Sequence, residues 1–151
     1  MPSEYRLRRR VQFYETDPAG IVHFSWFFRY MEEAEHAMWR EAGLSIAPPG
    51  AAIGWPRVTA GFDFLRPLRF EDEFEVHLWV SAKTRRTISY KARITAADET
   101  VATGTLTIAC VRQQPGEPMR AIEIPPDIDA QFPVANPEPG GGSSGVETRT
   151  A

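Results

Sequence analysis

Residues 5–43 read YRLRRRVQFYETDPAGIVHFSWFFRYMEEAEHAMWREAG, and the fold turns on a change of period inside them. At the start, Tyr5, Leu7, Val11 and Phe13 alternate with Arg6, Arg8, Arg10 and Gln12. A period of two with one apolar face predicts a half-buried strand. Asp17-Pro18-Ala19-Gly20 then breaks the pattern with turn chemistry. From Ser25 the apolar residues Phe27, Met31, Ala34, Met38 and Ala42 fall at three- and four-residue steps, with Phe28 and Trp39 widening the stripe. Glu32, Glu33, Glu35, His36, Arg40 and Glu41 fill the other faces. With Ser25 as N-cap and Gly43 just past the end, this is one amphipathic helix of about five turns. So broad and bulky a stripe is expected to lie against a sheet.

Downstream of a Pro/Gly-rich loop at 47–54 the period of two returns. Val58, Ala60, Phe62 and Phe64 predict a second strand, and Phe74, Val76, Leu78 and Val80 a third. Ile88, Tyr90, Ala92 and Ile94 predict a fourth, and Leu106, Ile108 and Cys110 one face of a fifth. The links at 83–86 and 97–99 are short, so the strands they join are antiparallel hairpins. Strand, long helix, then four strands is an α+β order: a single helix on a curled antiparallel sheet. One domain is expected over residues 1–130. Residues 131–151, rich in Gly, Pro and Ser, read as a flexible tail.

Bulk composition removes several classes of function. The net charge is −3, from 17 basic and 20 acidic residues, so no global positive field recruits nucleic acid. One cysteine, Cys110, forbids an intramolecular disulfide and a multi-cysteine zinc site. Its place on the inward face of a strand suits a buried structural thiol better than a nucleophile. The basic residues near the start have no apolar run behind them, unlike a secretory signal. No apolar stretch approaches the roughly 20 residues that cross a bilayer. The expectation is a soluble, cytoplasmic protein without membrane contact.

Three histidines are present, His23, His36 on the polar face of the helix and His77 on the outward face of a strand, and no two have metal-ligand spacing. GxSxG, GxxxxGKS and GxGxxG are absent too. What stands out is the connection from Tyr14 to Phe24, which leads the first strand into the helix N-terminus. Free N–H groups and the positive end of the helix dipole meet there, and both favour a developing oxyanion. A carboxylate beside them can attack a carbonyl carbon or activate water. Yet Asp-Pro also opens ordinary turns, and an acid there simply complements the dipole. On the residues alone the two readings stand level.

The segment Asp17-Pro18-Ala19-Gly20-Ile21-Val22, followed by a helix entered through aromatic residues with an acid deeper in, resembles the signature of the 4-hydroxybenzoyl-CoA thioesterase branch of the hotdog-fold superfamily. Asp63-Phe64-Leu65-Arg66-Pro67-Leu68-Arg69-Phe70-Glu71-Asp72-Glu73 and the closing Ile122-Glu123-Ile124-Pro125 are similar to later parts of that family. The resemblance spans roughly residues 5–130 and implies a hotdog fold, one long helix wrapped by a five-stranded antiparallel sheet. It implies a hydrolase of acyl-CoA or aryl-CoA thioesters, needing no metal or other cofactor and active as a homodimer or homotetramer. Asp17 would be nucleophile or general base, the Phe24 N–H the oxyanion donor, and Gly20 the residue that lets the chain turn tightly. His23, Phe27, Met31 and Glu32 would line the acyl pocket, with His23 orienting or titrating. Lys83, Arg85 and Arg86 would meet the nucleotide end of coenzyme A, or else form an ordinary solvated hairpin tip. A hotdog hydratase or dehydratase using Asp17 with His23 is the enzymatic alternative, and a non-catalytic thioester-binding protein the other.

Overall fold

The structure, a computed structural model, describes residues 3–135. Strand β1 (Glu4–Arg10) leads through a 3-10 turn at Phe13–Glu15 into helix α1 (Ser25–Glu41). There follow β2 (Ile53–Gly54), β3 (Arg57–Phe64), β4 (Glu73–Lys83), β5 (Thr87–Ala96), β6 (Glu99–Ala109), β7 (Val111–Arg112), β8 (Arg120–Ala121) and the short α2 (Pro126–Asp129). The main sheet has the order β1-β4-β5-β6-β3, antiparallel throughout, and α1 packs against it. This is the hotdog fold. A second sheet, β2-β7-β8, was not foreseen, because two-residue strands carry no readable period.

The core forms where the helix stripe meets the inner face of the sheet. Phe27, Tyr30, Met31, Ala34, Met38 and Trp39 pack with Val76, Leu78, Val80, Ile88, Tyr90, Ile94, Leu106 and Ile108. Each Phe, Met, Leu, Ile or Val side chain among these taken from water stabilises the fold by about 1.5–3 kcal/mol. The helix ends in a Schellman motif: Leu44 N–H donates to Trp39 O and Gly43 N–H to Arg40 O, both at 2.9 Å. Gly43 sits at φ +79°, where a side chain would be strained.

Several expectations need correction. β1 stops at Arg10, so Phe13 lies not in a strand but in the 3-10 turn, 73% exposed. Ser25 is the first helical residue and Phe24 the N-cap; the Ser25 hydroxyl serves His23 instead of the backbone. Glu35 is not on a polar face but fully buried, because it follows Met31 by four residues and so shares the apolar stripe. His77 does not point into solvent. It is 3% exposed, bonded to Glu4 at 2.7 Å, and burial pushes its pKa below the usual value. Val58 stays open because β3 is an edge strand with an irregular register between Arg57 and Thr59. The boundary drawn at residue 130 falls short of Phe132, which is buried against Trp39 at 4.8 Å between rings. The rest of the proposed tail, 136–151, lies outside the described residues.

Candidate active site

Between the 3-10 turn and α1 the chain makes a miniature hairpin. Thr16 and Val22 form an antiparallel bridge, Asp17 N–H donates to Ile21 O at 2.8 Å, and His23 N–H to Glu15 O at 2.9 Å. Gly20 N–H closes the turn onto Asp17 O at 2.8 Å, with Gly20 at φ +83°. An added Cβ at Gly20 would meet nothing within 4 Å, so it is the backbone angle that calls for glycine there. The segment is pinned from its other side: Ile21 bridges Arg69, and Val22 N–H donates to Leu68 O at 2.8 Å.

Asp17 stands at the tip of this hairpin, half-buried. Its Oδ1 accepts from Ala19 N–H at 2.8 Å and from Ile21 N–H at 3.4 Å. The turn-forming role is therefore real, but it occupies one oxygen. Oδ2 has no hydrogen-bond partner among the described residues. At the start of the helix, His23, Trp26 and Phe27 N–H groups donate to backbone oxygens and Ser25 N–H to His23 Nδ1. Phe24 N–H alone among these five finds no acceptor among the described residues. Asp17 and Phe24 line one cleft of about 490 Å³, together with Ile21, Val22, Phe27 and the 64–68 segment. A carboxylate with one unbonded oxygen and a residue with an unused N–H thus line the same largely apolar cleft.

Below the hairpin lies a buried carboxylate that sequence reading missed. Glu15, fully buried, accepts from Gln12 N–H at 2.9 Å, Tyr30 OH at 2.8 Å and Arg9 Nη1 at 3.1 Å. Arg9 also grips Glu33 on the helix at 2.7 Å and covers the Tyr30 ring at 4.8 Å. Burial first, then the bond to Glu15, holds the Tyr30 hydroxyl well above the ordinary tyrosine range. The signal was available: Arg9 shares its strand face with Tyr5, Leu7 and Val11, and a cation on an apolar face needs a buried anion.

The other expected site residues are scattered. Phe27 lines the Asp17 cleft, but Met31 is core, 2% exposed. His23 is exposed and its Nδ1 meets the Ser25 hydroxyl at 2.8 Å, so no Asp17–His23 pair forms. Glu32 bonds Arg57 at 3.1 Å and lines a separate cavity of about 540 Å³ with His36, Trp55 and Gln113. Lys83 is held by Asp129 at 2.9 Å, Arg85 pairs with Glu123 at 3.7 Å, and Arg86 is exposed. These three occupy the β4–β5 turn. Asp17 belongs to the opposite end of the sheet, where Arg10 pairs with Glu73. No cluster of three or more metal-ligating side chains exists among the described residues. None of their helices is long and apolar enough to cross a membrane. Cys110 is buried, and burial raises its thiol pKa, which keeps it unreactive.

The model of the thioesterase-like superfamily matches residues 11–132 of this sequence. A protein of Aquifex aeolicus (strain VF5), provisionally named an esterase, is 39% identical over 103 residues, 68% of this chain and 79% of that one. A 1,4-dihydroxy-2-naphthoyl-CoA hydrolase of Synechococcus sp. (strain CC9311) is 30% identical over 141 residues, 85% of this chain and 91% of that one. Among solved structures, an Aquifex aeolicus protein of unassigned function superposes with a TM-score of 0.79 at 31% identity, covering 85% of this chain and 99% of that one.

Proposed function

The chain belongs to the thioesterase-like superfamily, and from that premise we propose that it hydrolyses an aryl-CoA or short acyl-CoA thioester through Asp17. Its class of activity is thioester hydrolysis. The observation that carries the reading is the pair of unused groups in one cleft, Asp17 Oδ2 and the Phe24 N–H. The substrate carbonyl oxygen accepts from Phe24, which stabilises the negative charge that grows there as the carbon becomes tetrahedral. Asp17 Oδ2 then acts in one of two ways. It attacks the carbon, expels the CoA thiolate and leaves an anhydride that water opens, or it takes a proton from the water that attacks. Either way the products are the free acid and CoA. Anchored by Ala19 N–H, the carboxylate need not reorganise.

Aromatic walls favour a flat acyl group. Phe27 meets Phe64 edge-on at 5.1 Å between rings, and Phe24 is 60% exposed at the mouth. The cyanobacterial relative is named for an aryl-CoA substrate, which agrees with those walls. Asp17→Asn should lower kcat about a hundredfold or more and leave KM little changed, assayed on benzoyl-, butyryl- and palmitoyl-CoA. Near-normal turnover by a folded Asp17→Asn protein would remove the proposal.

The working form is a homodimer or homotetramer. β3 is an unpaired edge, and Val58, Phe64 and Leu65 are exposed along and just beyond it. Sedimentation velocity at micromolar concentration should show at least a dimer; a stable, fully active monomer contradicts this.

A further inference from the structure

A helix start leaves backbone N–H groups without partners inside the helix, and at the start of α1 it is His23 that decides which of them stays open. Phe24 is the N-cap residue, yet its backbone is already helical (φ −56°, ψ −30°) and its side chain makes no bond to the helix. A cap residue ordinarily has extended angles and offers a side-chain acceptor. Here the residue before it supplies that acceptor. His23 Nδ1 accepts from Ser25 N–H at 3.3 Å and meets the Ser25 hydroxyl at 2.8 Å, while His23 O accepts from Trp26 N–H at 2.9 Å. Phe24 O takes the N–H of Phe27 at 3.2 Å. Of the N–H groups from Phe24 to Phe27, Phe24's own is then the one with no acceptor among the described residues.

The same bonds fix the direction of that N–H. It lies in the peptide plane whose other end is the His23 carbonyl, so the bond from Trp26 holds the plane. Ser25 N–H ends the next plane, and the His23 ring holds that one. His23 is itself anchored: its N–H donates to Glu15 O at 2.9 Å, and its ring lies against the Phe24 ring, 4.7 Å between centroids. A backbone N–H can only donate, so Nδ1 carries no proton and the ring is neutral, with its hydrogen on Nε2. Aspartate, a commoner cap, would bring a negative charge beside the place where the thioester oxygen gains its own. A neutral ring caps the helix without opposing that charge.

Resting on the thioesterase reading, we propose that His23 is a positioning residue for hydrolysis: its neutral ring caps α1 so that the Phe24 N–H stays unbonded and fixed for the thioester oxygen. The ring acts through Phe24 and touches neither Asp17 nor the reacting carbon. His23→Phe keeps a ring against Phe24 and lacks the acceptor, whereas His23→Asn loses the ring and keeps an acceptor of the preferred capping kind. On benzoyl-CoA, His23→Phe should lower kcat about tenfold with KM within about twofold, because the donor serves the transition state more than the bound ester. His23→Asn should restore kcat to within about threefold of the wild type. The reverse order, with the Phe variant active and the Asn variant impaired, overturns the proposal and makes the aromatic surface what counts. Equal kcat in all three proteins, or an equal loss in both variants, overturns it too. Backbone hydrogen exchange followed by NMR gives a reading independent of turnover. Relative to free-peptide rates, Ser25 N–H should exchange more slowly than Phe24 N–H in the wild type and in His23→Asn, and as fast as Phe24 N–H in His23→Phe. Ser25 exchange unmoved by His23→Phe overturns the cap. If the wild type hydrolyses no CoA ester, the thioesterase reading fails separately, and the exchange rates alone decide whether His23 caps the helix.

Discussion

Two glutamates among the described residues are fully buried, and each has an arginine and a tyrosine for company. Glu15 takes Arg9, Tyr30 and the Gln12 N–H; Glu35 takes both terminal nitrogens of Arg57, with Tyr90 on its other side. The chemistry is nearly the same and the task differs. Glu15 sits in the connection two residues before Asp17, so its bonds tie that connection to β1 and to the first half of α1. Glu35 is on the helix itself, and its bonds tie the helix to the first residue of β3 beside the second cavity. Buried ion pairs seldom add much net stability, because desolvation offsets attraction. Fixing a geometry is the better explanation for keeping one. By that argument Glu15 governs where Asp17 stands relative to the Phe24 N–H, whereas Glu35 governs how the edge strand meets the helix.

Removing each acid should separate the two tasks. Glu15→Ala leaves the Tyr30 hydroxyl and the Gln12 N–H without acceptors and Arg9 with Glu33 as its one carboxylate. The expected loss is about 3–5 kcal/mol of unfolding free energy in urea, the cost of breaking a buried network from one side. Glu15→Gln keeps an acceptor and should cost less. In that folded variant kcat should fall by about tenfold with KM nearly constant, since Asp17 is displaced and binding is not. A Glu15→Gln enzyme with full kcat would show that the network supports the fold only, and the contrast with Glu35 would collapse.

The same contrast marks what the sequence could disclose. Period two and period 3.6 located β1, α1 and the four later strands, because burial on one face dictates those periods. The Asp17 turn was legible since Pro and Gly at fixed offsets constrain the backbone. Arg9 was legible as a cation on an apolar strand face, though which anion answers it was not, and Arg57 was not legible at all, because its meaning lies in a partner distant in sequence. Arg57 is 22 residues from Glu35, and no local pattern links them. Glu35 escapes local reading for a related reason: its position in the stripe is apolar by geometry, while its charge alone signals exposure. Lys83, Arg85 and Arg86 stand out by adjacency along the chain, and nothing local shows that Lys83 pairs with Asp129 or Arg85 with Glu123.

The smaller effect is expected at Glu35, and pH is its readout. Burial is the leading influence there and raises the Glu35 pKa above the ordinary carboxylate value of 4.5, against the opposing pull of Arg57. A raised folded-state pKa means that the native protein binds this proton more tightly than the unfolded chain. Below the unfolded value both states are protonated, and the contribution is fully present. As pH climbs from 4.5 through the raised value, the unfolded chain ionises first and that stability is lost, with a slope of at most about 1.4 kcal/mol per pH unit. Glu35→Gln cannot ionise, so the difference between wild type and variant should shift in the variant's favour across that window. At neutral pH the variant should lie within about 1 kcal/mol of the wild type, because the amide oxygen still accepts from Arg57 and Arg57 keeps Glu32. Curves that instead diverge in the wild type's favour as pH climbs would mean that Arg57 outweighs burial. Glu35 would then be a stabilising ion pair, and the two buried glutamates would differ in location alone.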